Sequence, residues 1–405
     1  MNSVDSPFVR PFYLMVKPAG AACNLACEYC YYLDKSRMYD THGKRASYMD
    51  DRMLETYIRE YIAASPQDTV LFTWHGGEAL LRDIRFYERV LELQARYSGG
   101  RCIDNCIQTN GTLLNEEWCR FFRNNGFLVG LSVDGPRDVH DAYRVTPLGK
   151  PTFQKVMTAA RLLDRYGVEW NAMAVVNDVN VKRPLEFYRF FRDTLGCRYL
   201  QFAPIVERYS EGRMLSPDEP GGEMAPFSIT PEEWGEFLCV IFDEWVRNDV
   251  GQMFVQLFDA TLCNRVGVPP GTCTMAAECG NAPVMEHNGD VYSCDHFVYP
   301  EHYLGNITTS PLIGMMISEK QRRFGVSKRD GLPRQCRECR YLHLCNGECP
   351  KNRIAVTQDG EPGLNYLCEG FRRFFAHTEP YIRFMADEYL HNRPPANVMK
   401  KDFNS

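Results

Sequence analysis

The chain has 405 residues with 46 basic against 52 acidic side chains and no long basic run, which excludes a phosphate-neutralising nucleic-acid surface. Its apolar content is ample for the cores of two or three domains, but no apolar stretch is long enough to span a bilayer and no leader with a cleavage site is visible, so no membrane association is expected. Seventeen Cys, an odd number, fit thiols kept reduced in a cytoplasmic setting better than a secreted disulfide framework.

Through roughly the first 250 residues, short apolar runs alternate with amphipathic segments, the pattern of repeated strand-helix units around a parallel sheet or barrel. Pro11 to Lys17 reads as the first strand, and the loop Cys23 to Tyr32 follows it. Asp50 or Asp51 caps a helix whose apolar face is Met53, Leu54, Tyr57, Ile58, Tyr61 and Ile62. Further strands are expected at 69–74, 103–108, 127–133, 168–176 and 198–202, and further helices around Trp118, at 152–166, at 184–195 and at 231–246, where Pro231 suits a first turn. Glu207 to Pro226, rich in Gly, Pro and acidic residues, reads as a long surface loop. No tandem repeat stands out, and the residues after about Arg393 read as a loose tail.

The loop after the first strand carries Cys23-x3-Cys27-x2-Cys30, with Tyr29 before the last thiol. Thiolate is a soft ligand that selects zinc, copper(I) or iron-sulfur clusters. Three thiolates leave one position of a four-coordinate site open. Ligands of parallel sheets bind beyond the carboxyl ends of strands. There the chain places His75-Gly76-Gly77-Glu78, Ser132 before Asp134-Gly135-Pro136, and then Arg144. Eight further Cys, at 273, 279, 294, 336, 339, 345, 349 and 368, would complete two four-thiolate sites. Their number suits zinc and iron-sulfur clusters equally, and spacing does not say which of them share a metal.

The early trio with its preceding Tyr resembles the cluster loop of the radical S-adenosylmethionine superfamily. The resemblance implies an α/β fold: an open partial barrel of six strand-helix units over 9–250, a C-terminal SPASM domain with two auxiliary clusters over 251–385, and a flexible tail over 386–405. It implies that Cys23, Cys27 and Cys30 hold a 4Fe-4S cluster whose fourth iron is chelated by S-adenosyl-L-methionine. Tyr29, Gly76, Gly77, Glu78, Ser132, Arg144 and Val206 match contacts to that co-substrate, the planar fork of Arg144 suiting its carboxylate and Val206 its adenine. The run from Cys273 to Cys368, with Gly305-Asn306 between its halves, resembles the SPASM domain of peptide-modifying radical enzymes. By that pattern Cys273, Cys279, Cys294 and Cys349 hold one auxiliary 4Fe-4S cluster, and Cys336, Cys339, Cys345 and Cys368 the other, which makes three clusters in all. Cys102, Cys106, Cys119, Cys197, Cys239 and Cys263 remain as small buried hydrophobes.

The Tyr-rich end of the loop, Gln108-Thr109-Asn110-Gly111, Leu131 to Pro136, and Cys294-Asp295 resemble most closely the anaerobic sulfatase-maturating enzymes, over about Pro11 to Phe375. That resemblance implies reductive cleavage of S-adenosylmethionine to methionine and a 5'-deoxyadenosyl radical. The radical takes a hydrogen from the β-carbon of a Cys or Ser in the C/S-x-P-x-R motif of an unfolded or nascent sulfatase. Asp295 is then the base, an auxiliary cluster receives the electron, and the product is Cα-formylglycine. A low-potential donor such as flavodoxin or ferredoxin is implied as partner. Tyr32 and His75 are expected to line the peptide channel, His75 standing where some members have Gln. One rival is another SPASM peptide modifier making thioether or carbon-carbon crosslinks. The other is a non-catalytic zinc-binding scaffold, which would lack the about twelve irons per chain expected of three clusters.

Overall fold

The computed structural model describes residues 10–33, 35 and 48–403. The chain forms two compact units, each discontinuous in sequence: Met1–Ser132, Arg144–Trp170 and Cys279–Ser327 in the first, Val133–Tyr143, Asn171–Glu278 and Lys328–Ser405 in the second.

In the first unit β1 (Met15–Val16) pairs in parallel with β2 (Thr69–Trp74), β2 with β3 (Cys102–Thr109), and β3 with β4 (Leu128–Ser132). Helix α1 (Asp51–Ala64) starts where the Asp50 carboxylate accepts a hydrogen bond from the Met53 amide. Its buried face carries Tyr57 and Tyr61, whose rings meet Phe72 of β2 edge-on at 5.6 and 5.0 Å. Alternation puts Val70, Phe72 and Trp74 on the same buried side of β2. Helix α2 (Ile84–Tyr97) fills a stretch to which the sequence reading assigned no element; Asp83 caps it, and Phe86, Tyr87, Val90 and Leu93 are buried at helical spacing. Helices α3 (Glu116–Asn124) and α4 (Phe153–Tyr166) fall where expected.

The second unit contains β5 (Trp170–Val176) from Asn171 onward, and Ala172 to Val176 pair in parallel with β6 (Tyr199–Pro204). The expected helix at 184–195 is α5 (Pro184–Arg189), followed by a wider π turn over Phe190–Thr194. Residues 207–226 are not a structureless loop: β7 (Arg208–Ser210) lies between β8 (Arg213–Met214) and β9 (Glu223–Met224) in a small antiparallel sheet. Strands of two or three residues are too short to show a period in sequence. Helix α6 (Pro231–Asn248) opens with Pro231 behind a Thr230/Glu233 capping box. After it come β10 (Phe254–Val255), parallel to β6, and α7 (Gln256–Val266).

The chain then returns to the first unit. β11 (Val284–Met285) pairs in parallel with the free side of β1, and β12 (Asp290–Tyr292) and β13 (Tyr303–Asn306) continue antiparallel from it. β1 is therefore flanked by strands from opposite halves of the sequence: Val16 stands opposite Trp74 on one side and Met285 on the other. Lys17, His75 and Glu286 each follow immediately on one of those three neighbouring strands.

The expected loose tail is ordered up to residue 403. α8 (Cys368–Leu390) runs into a 3-10 turn at Pro395–Lys400. Arg393 bonds Glu388 at 2.7 Å, and the Phe403 ring lies 4.3 Å from that of Tyr381. Of the six Cys left over, 119, 197 and 239 are buried, 106 and 263 are half-buried, and Cys102 at the start of β3 is exposed, so the buried-hydrophobe reading does not hold for Cys102.

Candidate active site

Beyond β1 the chain turns through Gly20 and Ala22 into the three-Cys loop, where the Cys30 amide donates to the Cys27 carbonyl at 3.0 Å. Cys23 Sγ accepts from the Leu25 amide and from Asn110 Nδ2. Burial pushes the Cys23 thiol up to about 11 and raises that of Cys30. Such thiols ionise when a metal supplies compensating positive charge. The strap after β2 is fastened to this loop: Gly77 N donates to Gly20 O and Glu78 N to Ala22 O, both at 2.9 Å. A Cβ on Gly77 would stand 2.1 Å from the Ala22 carbonyl oxygen, so only glycine fits. Glu78 is buried, and its carboxylate accepts from Thr109 Oγ1, Asn110 N and Leu80 N. Gln108 Nε2 donates to Ser132 Oγ at 2.9 Å. The buried Arg144 guanidinium lies 5.8 Å from the ring centre of Tyr29, itself buried. The first unit thus gathers the Cys loop, the Gly-Gly-Glu strap, Tyr29, Ser132 and Arg144. Val206 belongs to the second unit, where its carbonyl accepts from Lys351 Nζ at 2.9 Å.

From β12 the chain passes through Cys294 into a 3-10 turn beginning at Asp295. Lys17 Nζ lies 2.6 Å from Asp295 Oδ1, the Tyr31 hydroxyl donates to Oδ2, and Lys35 Nζ donates to the Asp295 carbonyl at 2.8 Å. Burial by itself disfavours the charged carboxylate, but the positive charge of Lys17, with a smaller contribution from Lys35, outweighs it and holds Asp295 well below the usual carboxylate range. Burial, reinforced by Lys17, brings His75 down to about 4, so its imidazole is neutral at pH 7; its Nδ1 accepts from the Gly76 amide. Tyr32 is 4 % exposed in a small core with Val284, Tyr292 and Val298, and its hydroxyl donates to the buried Glu286. It is Tyr31 that reaches Asp295. Lys17, Tyr31 and Lys35 were not singled out in the sequence; a Lys closing an apolar strand directly before a Cys loop was the one available signal.

In the second unit Cys336, Cys339, Cys345 and Cys368 all line one cavity of about 800 Å³. Burial raises the thiols of Cys345 and Cys368 to about 12 each, and neighbouring Cys of the same set push them in the same direction. Cys279 and Cys294 lie in the first unit, Cys273 and Cys349 in the second. Among the described residues no three His, Cys, Asp or Glu side chains are arranged to hold a single metal ion. The donor set, three thiols on one loop and four around one cavity, fits iron-sulfur clusters as it fits zinc.

Two family models match the chain, the Radical SAM superfamily over residues 18–191 and SPASM, an iron-sulfur cluster-binding domain, over 279–340. The serine-type anaerobic sulfatase-maturating enzyme of Bacteroides thetaiotaomicron is 57% identical over 400 residues, which is 98% of this chain and 96% of that protein. The serine-type enzyme of Klebsiella aerogenes is 36% identical over 370 residues, 90% of this chain and 85% of that protein. The solved structure of native anSMEcpe with bound AdoMet matches at a TM-score of 0.82 and 31% identity, covering 93% of this chain and 100% of that one.

Proposed function

This chain belongs to the anaerobic sulfatase-maturating enzymes of the radical S-adenosylmethionine superfamily, and from that premise we propose that it oxidises a Ser or Cys in the C/S-x-P-x-R motif of a sulfatase to Cα-formylglycine. Three 4Fe-4S clusters are proposed, held by the Cys sets 23/27/30, 273/279/294/349 and 336/339/345/368, with S-adenosylmethionine as co-substrate. When bound, these groups supply a 5'-deoxyadenosyl radical for hydrogen abstraction and a sink for the remaining electron. The protein's own part is to hold, orient and deprotonate. Gly76, Gly77 and Glu78 form a strap that admits no side chain between itself and the Cys loop. Arg144 is a buried guanidinium suited to the carboxylate of the co-substrate.

Asp295 is the proposed base. It takes the hydroxyl or thiol proton as the β-carbon is oxidised, which leaves an aldehyde from Ser directly and a thioaldehyde, then hydrolysed, from Cys. The observation that carries the reading is the contact of Tyr31, next to the cluster ligand Cys30, with Asp295, next to the cluster ligand Cys294. Base and two of the three proposed clusters are thereby tied through one side-chain pair. The substrate is proposed to arrive as unfolded chain, and a low-potential flavodoxin or ferredoxin to supply the electron. The two serine-type relatives support Ser as an accepted target.

The test is anaerobic reconstitution with S-adenosylmethionine and paired peptides carrying S-x-P-x-R and C-x-P-x-R. Aldehyde detected by mass and by hydrazide trapping is expected from the Ser peptide, and 5'-deoxyadenosine release with both peptides left unmodified, or with a thioether crosslink, would overturn it.

A further inference from the structure

Both oxygens of Asp295 are engaged, by two residues that no comparison assigns. Lys17 is fully buried, with Nζ 2.6 Å from Oδ1 and 3.5 Å above the ring of Tyr32. Tyr31 donates to Oδ2, and its own ring lies 4.7 Å from Lys35 Nζ and 4.8 Å from the ring of His296. Burying an ammonium or a carboxylate alone is costly, so each of this pair is tolerated because the other is there. A site needing only to be filled would take Met or Leu. The two oxygens also differ: Oδ1 is sealed from solvent, whereas the side chain as a whole keeps 13% of its surface exposed.

We propose that Lys17 and Tyr31 are positioning residues for the oxidation, Lys17 anchoring Asp295 through Oδ1 and Tyr31 holding Oδ2 aimed at the place where a substrate hydroxyl or thiol enters. This rests on the reading of Asp295 as proton acceptor. Oδ2 is the working oxygen: the Tyr31 hydroxyl occupies one of its lone pairs and leaves the other for the substrate proton. Lys17 directly follows β1 and Asp295 follows β12, so the pair fastens the base to the strand from which the Cys loop departs. Positional errors of about 1 Å in such a group can cost on the order of a hundredfold in rate.

The experiment uses the full chain, anaerobically reconstituted and matched for iron content, with the S-x-P-x-R peptide. Tyr31→Phe is expected to lower kcat for aldehyde about tenfold with KM for the peptide within about twofold, since aim rather than affinity is lost. Lys17→Met is expected to lose more, and Lys17→Arg to recover part of that loss. In an Asp295→Asn background Tyr31→Phe is expected to add no further loss, because both act through one carboxylate. A readout independent of turnover is the melting temperature: Lys17→Met lowers it, and Lys17→Met combined with Asp295→Asn raises it again by removing the stranded charge. Full turnover in Tyr31→Phe and Lys17→Met alongside an Asp295→Asn slowed to a small residual rate would overturn the positioning roles while sparing the base. An equal fold-loss from Tyr31→Phe in the Asp295→Asn background would mark Tyr31 as merely structural and overturn its role as well. Full turnover in Asp295→Asn would overturn the base and the positioning roles together. Tyr31→Phe keeps the question open to refutation even where Lys17→Met does not fold.

Discussion

Asp259, on α7, is partly buried, and burial alone pushes its carboxyl up to about 7. The sign follows from linkage: between about pH 4, where the unfolded acid releases its proton, and pH 7, where the folded one does, the folded chain holds more protons, so this group makes stability fall as pH rises. Asp259→Asn keeps the shape of the protonated acid. It should stabilise the protein by about 1–3 kcal/mol at pH 8 after allowance for residual exposure, and by about half as much at pH 5.5, the middle of that window. Melting curves of parent and variant at the two pH values check this, and a constant gap would mean that the carboxyl does not titrate in that window. The acidic residue is visible in the sequence, but its desolvation is not. Lys17 differs in the same way: its type and place could be read, its anion could not, because Asp295 lies 278 positions further along and only folding brings the two together.

Among the elements, the agreement of sequence and structure follows length. β2, α1 and α6 have enough residues to display a period and a cap, and they lie where the pattern puts them. β7, β8, β9 and β11 have two or three residues, and pairing partners rather than local preference define them. Helix packing turns on equally local detail. A Cβ on Gly370 of α8 would stand 2.3 Å from the Pro231 carbonyl oxygen, and one on Gly235 of α6 would stand 3.0 Å from Gly370 Cα. The two helices therefore approach through a glycine pair. Gly370→Ala must force them apart, at an expected cost of about 1–3 kcal/mol despite the better helix propensity of Ala. A fall in melting temperature checks it, and a rise would show that the helices separate freely.

At the scale of the whole molecule, the thiols rather than the sheet decide what the protein holds. With three clusters the reconstituted chain should carry about twelve irons, and Cys345→Ser, which removes one sulfur from the 800 Å³ cavity, should leave about eight. Iron and sulfide analysis measures this directly; zinc with no iron would point to the scaffold reading. Among the described residues no helix is long and apolar enough to cross a membrane. The sequence alone pointed to the proposed ligands, because a metal site requires particular side chains at short spacings, and determined most of the longer strands and helices, because periodicity is a property of neighbouring residues. What only the tertiary structure decided is the pairing of β11 with β1, the meeting of Tyr31 with Asp295, and the burial that makes Lys17 and Asp295 depend on each other. These are contacts between distant parts of the chain, and no local pattern encodes which buried charge will find which.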